Sequence, residues 1–438
     1  MLTKIGSLAI QVVNPAPGGA SLPVDFSVFG QTPLQAADMV FEPYTQKFYA
    51  TIPASAATNP NSLVTIDPVT GVVGPPIAIG LDPGALGLSD DGTTLYVGLN
   101  GENAVVPFNL ITQTEGARIP LPVDFSKGPL TAGDIQVQPG NSGTFVVALS
   151  AGYNGSDGIA LIINGQVVST FLNNANNDAV VVGSRFTDPS NVFTWGYTYN
   201  SPILHFVIAG NQLLQAPPIN AGYGTGAFAT DGTNLFDVTG QVFAAATGNL
   251  VGTINGLGTY PSGPIGVLND TSSGRLFFVE GPFNTATEVI DKATLTQIGF
   301  AGGPSAISSR VQKWGPDGLA YLSAQYPQTV AQDIVQLRSS LFYPSPGPNP
   351  LPAPTALTPA TATAGGSNFV LTVTGSQFVP GAVVQWNGVN RTTQYIDAGT
   401  LLVDIPASDI ALVGTAKVKV VNPGPGGGAA AALVFMIL

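Results

Sequence analysis

The chain has 438 residues, enough for two or three domains. Its 13 basic and 25 acidic residues give a net charge of −12, so a phosphate backbone or an anionic membrane surface is repelled and nucleic-acid binding is excluded. With no cysteine and a single histidine, His205, thiolate, zinc-finger and Ser-His-Asp chemistries are excluded or crippled.

The 54 Gly, 37 Pro and 44% apolar residues predict many short strands joined by tight turns. Charged residues are only 9% of the chain, against ~25% in ordinary soluble chains. The surface is therefore dressed in Asn, Thr, Ser, Gln and Gly, a composition expected of an extracellular or cell-surface protein. Such an exterior resists self-association poorly. No run approaches the ~20 apolar residues that span a bilayer.

At the N-terminus, Lys4 and the apolar run from Ile5 to Val13 imitate a secretory leader. The same stretch recurs at the far end of the chain, which argues against that reading: residues 5–19, IGSLAIQVVNPAPGG, align without a gap with 413–427, VGTAKVKVVNPGPGG. After it, Val24-Asp25-Phe26-Ser27-Val28 matches Leu433-Val434-Phe435-Met436-Ile437. Residues 1–30 thus read as a two-strand remnant of a larger unit. Its apolar positions Ile10, Val12, Val24, Phe26 and Val28 form the expected interaction face. Left wet, that face would forfeit on the order of 8–15 kcal/mol, so something covers it: neighbouring domains of a longer chain, strands of another subunit, or the body of its own chain.

From 31 to 342 a weak repeat recurs, an apolar strand, a tight turn and a second apolar strand. The last core residues before the turns are Phe41, Leu88, Val137, Phe186, Ala229, Leu268 and Trp314, spaced 39 to 49 residues apart. A strand-only period near that length marks a β-propeller blade of four strands, and seven starts predict seven blades. Blade seven lacks an obvious fourth strand, which Phe29–Gln35 would supply to close the ring. The Asp-Gly pairs at Asp91, Asp231 and Asp317 are expected to form turns rather than hold metal.

Residues 343–354 form a Pro-rich linker, with proline at 344, 346, 348, 350, 352 and 354. From 355 to 438 the alternation predicts about seven strands in an immunoglobulin-like sandwich. The fold class is all-β: a propeller, a C-terminal sandwich and the N-terminal remnant.

Two resemblances follow from particular residues. Gly375-Ser376-Gln377-Phe378, Val384-Gln385-Trp386-Asn387-Gly388 and Val420-Val421-Asn422-Pro423 resemble the IPT/TIG family of immunoglobulin-like domains. The family implies a spacer or interaction module and brings no catalytic residues. Ile66-Asp67-Pro68-Val69-Thr70-Gly71, Ile290-Asp291-Lys292-Ala293-Thr294 and Leu95-Tyr96-Val97-Gly98-Leu99 resemble YVTN-type seven-bladed propellers. Some of those are lactonases and lyases, with histidine, arginine and glutamate in the axial funnel.

At the funnel position of each first strand stand Asp38, Ala85, Asp134, Gly183, Gly226, Ile265 and Val311. Asp38 and Asp134 would hold a cation, serve as acid and base, or accept backbone N–H bonds. Calcium is the ion such oxygen ligands suit, and the loop Asn173–Asp178 is a second weak calcium candidate; no other cofactor is implied. Arg118, Arg185, Arg275 and Arg310 do not converge in register, and His205 reads as a strand histidine. Trp195, Tyr197, Tyr199, Tyr260 and Tyr326 are candidates for stacking on glycans. The expectation is a non-catalytic structural or adhesive surface protein with protein partners, self-associating into a filament or array. A propeller lactonase or lyase with a funnel metal, or a polysaccharide-binding module, is the alternative.

Overall fold

The computed structural model describes residues 6–10, 24–151, 156–172, 181–196, 202–220, 227–257, 263–281, 286–304, 306–323, 333–342, 349–423 and 428–438. Among them the chain is all-β, with no α-helix and two short 3-10 turns at Ser340–Phe342 and Ala407–Ile410. It divides into two units, Met1–Phe342 and Tyr343–Leu438.

The first unit is a seven-bladed propeller. The first strands of its blades are Asp38–Glu42, Pro83–Leu88, Thr131–Gln138, Gly183–Asp188, Phe228–Thr230, Pro264–Asp270 and Ala306–Trp314. Each packs against the next, and Ala306–Trp314 packs against Asp38–Glu42, so the ring is closed. Strand alternation builds the layers between blades. In blade six, Leu276 and Phe278 pack with Phe236 and Phe243 of blade five, whereas Phe277 and Val279 pack with Leu319 and Tyr321 of blade seven.

The fourth strand of blade seven comes from the other end of the propeller. Gly30–Pro33 pairs antiparallel with Asp333–Arg338, Thr32 opposite Ile334. A buried hydrogen bond from Gln336 Nε2 to Thr32 Oγ1, 2.8 Å, fastens it. This is the closure expected for Phe29–Gln35, and it leaves blade seven with no bare inner ladder.

Side-chain oxygens hold the turns. Asp91 Oδ1 accepts bonds from Ser89 Oγ and Thr93 N, with Gly92 at φ 65°. Asp231 Oδ1 accepts from Thr233 N and Asn234 N, with Gly232 at φ 87°. Asp317 departs from that pattern. Its carboxylate pairs with Arg338 at 2.7 Å, and the left-handed residue of its turn is Gly315, φ 52°.

The N-terminal hairpin forms as expected and continues blade six. Gly6–Ile10 and Val24–Val28 pair antiparallel, and Val24 and Asp25 pair in parallel with Phe300 and Ala301 on that blade's outer strand, Thr296–Gly302. The hairpin's backbone thus joins the chain's own propeller at a sheet edge. Ile10, Val24, Phe26 and Val28 lie in these strands, and Val12 lies outside the described residues.

The second unit is an immunoglobulin-like sandwich. One sheet runs Ala353–Thr358, Phe369–Ser376, Thr400–Ile405, Thr393–Asp397; the other runs Thr361–Ala362, Leu433–Ile437, Gly414–Asn422, Val383–Trp386, Val389–Arg391. Trp386, 5.0 Å from Phe435, centres the core with Leu371, Val384, Leu401 and Val418. The spacer is shorter than 343–354, because the sandwich takes up the chain from Asn349 onward. Asn349 Nδ2 donates to Pro423 O, and Asn422 Nδ2 donates to Pro350 O and Gln377 O.

The repeat read in the sequence is also a repeat of register. Gly6 faces Val28, Leu8 faces Phe26 and Ile10 faces Val24; likewise Gly414 faces Ile437, Ala416 faces Phe435 and Val418 faces Leu433.

Candidate functional site

Asp38 opens the first strand of blade one and is buried. Its Oδ1 accepts a bond from Met39 N and its Oδ2 one from Leu86 N on the first strand of blade two, both 2.8 Å. Asp134 does the same one pair of blades further on. Its Oδ2 accepts from Ser184 N of blade four at 2.9 Å, and its Oδ1 from Gln136 Nε2 at 3.2 Å. Both carboxylates therefore tie one axial strand to the next.

The positive charge between them comes from the chain itself. Arg310, on the first strand of blade seven, brings Nη2 to 3.2 Å from Asp38 Oδ2 and hydrogen-bonds Asp134 Oδ1, while its Nη1 donates to Leu86 O at 2.9 Å. Arg185, from blade four, stands 3.8 Å from Asp134 Oδ2, donates to Ser184 O at 2.7 Å and lies over the Trp195 ring at 4.9 Å. Burial raises Asp38 above the ordinary carboxylate range, against the pull of Arg310 and two backbone amides. Burial likewise lowers Arg185, opposed by Asp134. For Arg310 burial alone would lower the guanidinium, but Asp38 and Asp134 outweigh it and raise it.

Two corrections to the sequence reading follow. Arg185 and Arg310 do converge, from blades four and seven, onto one carboxylate. Reading Val311 as the axial residue of blade seven missed its neighbour. The pairing of Ala306–Trp314 with Gly318–Ser323 is irregular between Ala306 and Val311, and a register break of this kind re-aims side chains. A guanidinium flanked by two aspartates occupies the position where a cation was expected. Beside it lies a cavity of about 290 Å³, lined by Phe41, Leu88, Val137 and Leu268 as well as both arginines.

The other candidates lie elsewhere. His205 stacks on Phe193 with ring centroids 4.2 Å apart, and its Nε2 is 2.7 Å from Asn191 Oδ1; burial lowers its pKa. Arg118 pairs with Glu102 and Glu115, and Arg275 with Asp291. Trp195 is buried beneath Arg185. The loop Asn173–Asp178 and Tyr197, Tyr199, Tyr260 and Tyr326 lie outside the described residues.

A second titratable cluster escaped the sequence reading. Glu280 and Glu288 on adjacent strands of blade six are both buried, and Gln297 Nε2 donates to Glu288 Oε2 at 2.9 Å. Burial, then the neighbouring Glu280, pushes Glu288 up to about 8. Two glutamates eight positions apart carry no sequence signal; only the pairing of their strands across the sheet makes the cluster.

No family model matches the chain, and no curated protein matches its sequence. Solved structures share the fold. Hydrazine synthase of Kuenenia stuttgartiensis is similar at 15% identity and a TM-score of 0.53, over 70% of this chain and 97% of that one. The WD40 repeats of RRP9 reach 8% identity and 0.53, over 71% and 97%. The Cps50 (Swd1) propeller of Myceliophteria thermophila reaches 11% and 0.51, over 69% and 96%. At these identities the likeness establishes the β-propeller and nothing about activity.

Proposed function

We propose that the chain is a non-catalytic extracellular or cell-surface protein, structural or adhesive, that self-associates by strand complementation at its N-terminal hairpin. One observation carries this reading. Gly6–Ile10 is paired on one edge by Val24–Val28, and no strand among the described residues pairs with its other edge. In its counterpart in the sandwich, Gly414–Val418, Leu433–Ile437 pairs with one edge, and Val383–Trp386 pairs with the other edge from Val418 onward. An edge strand with unpaired N–H and C=O groups is a template for another strand, and Gly6–Ile10 carries no charge or proline to block it.

The remaining support is consistent with this. The axial carboxylates and arginines are engaged with one another and with backbone groups, which disfavours the lactonase or lyase reading. The resemblance to YVTN-type propellers and IPT/TIG domains, and the scarcity of charge, favour a surface protein.

Light scattering over a wide concentration range tests the proposal, with Leu8→Pro and Ala9→Pro as variants. Successive N–H groups of a strand point to opposite edges, so one of the two prolines removes a donor from the open edge. The wild type grows in mass with concentration and at least one variant does not. A wild type that remains at 44.6 kDa at every concentration refutes it.

A further inference from the structure

Six residues occur twice in the chain: Leu22-Pro23-Val24-Asp25-Phe26-Ser27 and Leu121-Pro122-Val123-Asp124-Phe125-Ser126. The first copy shows what this sequence does beside a strand. Val24, Asp25, Phe26 and Ser27 pair antiparallel with Ile10, Ala9, Leu8 and Ser7. Among the described residues the second copy is paired only at Val123 and Asp124. It forms a small hairpin between blades two and three, Val123–Asp124 with Gly128–Pro129.

This hairpin presents apolar groups to water. Leu121 is buried at its base, whereas Val123 is 58% exposed and Phe125 108% exposed, the highest value among the large apolar side chains described. Val123 and Phe125, two positions apart, together set an apolar patch on the hairpin. The charges nearby are engaged locally. Lys127 pairs with Asp157, and Asp124 Oδ1 accepts bonds from Ser126 N at 2.7 Å, Ser126 Oγ at 2.6 Å and Lys127 N at 3.0 Å. Val123 and Asp124 are already extended, and opening the Asp124 turn extends the chain through Ser126.

We propose that Val123–Ser126 of a second copy is the strand that completes the open edge of Gly6–Ile10. It adds antiparallel, in the register that Val24–Ser27 uses on the opposite edge, which brings Val123 beside Ile10 and Phe125 beside Leu8. The proposal rests on the self-association reading above and names its partner. Donor and acceptor are different surfaces of one chain, so the contact is heterologous and propagates into rings or filaments rather than stopping at a dimer.

The test uses the full chain, the double variant Val123→Ser/Phe125→Ser, and the blocked peptide acetyl-LPVDFS-amide with a scrambled control. Both substituted side chains are exposed, so the variant melts as the wild type does. The expected result is at least a tenfold rise in the concentration needed for assembly in the variant, and dissociation of wild-type assemblies by the peptide but not by the scrambled one. The proposal is overturned if the double variant assembles as the wild type does, or if the two peptides act alike. If the proline variants at Leu8 and Ala9 abolish assembly while the double variant does not, the open edge stands and its partner lies elsewhere. If neither proline affects assembly, both readings fall together.

Discussion

Replacing Arg310 by methionine isolates the axial charge network. The guanidinium faces Asp38 at 3.2 Å and is hydrogen-bonded to Asp134, and all three side chains are buried or nearly so. Its loss leaves two carboxylates in a low-dielectric axis with only amide donors. Breaking a buried pair in this way costs ~3–5 kcal/mol. For a propeller of this size that corresponds to a fall in Tm of roughly 5–8 °C. The deficit has a pH signature. Without Arg310 the folded-state pKa of Asp38, already raised by burial, rises further above the unfolded value of ~3.9. Stability is then fully present below that value and is lost as pH rises through the folded pKa. Urea titrations of the wild type and Arg310→Met at several pH values measure this. The deficit is large at pH 7 and shrinks toward pH 4. The triple variant Asp38→Asn/Asp134→Asn/Arg310→Met removes the stranded charges and recovers most of the loss. A deficit below ~1 kcal/mol at pH 7, or one that grows on acidification, would refute the view that Arg310 acts by neutralising the two aspartates.

Three further outcomes are expected. Glu288 has a folded pKa of about 8, above its unfolded value, so its contribution favours the fold below ~4.5 and weakens it as pH rises toward 8. Glu288→Gln therefore stabilises the propeller by ~2–3 kcal/mol at pH 9, after discounting for solvent screening, and by nothing at pH 4, as denaturant titration at the two pH values would show. Gly183→Ala places a methyl group 2.2 Å from the Trp195 ring that carries Arg185, and costs ~1–3 kcal/mol in a thermal melt. Trp386→Ala empties the centre of the sandwich and costs that unit ~3–5 kcal/mol, with the propeller transition unmoved in calorimetry.

Much of this architecture is local and therefore legible in the residues. The sandwich strands Val383–Trp386 and Leu433–Ile437 fall where alternation puts them. The Asp-Gly turns at Asp91 and Asp231 follow from backbone conformation, as positive φ is needed there. The closing strand, Gly30–Pro33, followed from a count of strands in blade seven. Asp317 shows the limit of that logic, because a nearby Arg338 takes its carboxylate away from the turn.

The sequence by itself determined the all-β class, the seven blades, the sandwich and the repeated hairpin, because periodicity, turn chemistry and spacing act over a few residues. Only the tertiary structure decided what meets at the axis and at the sheet edges. Closing the ring sets blades one, three, four and seven around one point, so Arg310 reaches Asp134 across 176 positions of chain. A single irregular register step chooses Arg310 over Val311, and no local pattern encodes that step. The same holds for the hairpin: its strands are written in residues 6–28, but its neighbour, the outer strand of blade six, is fixed by how the ring closes.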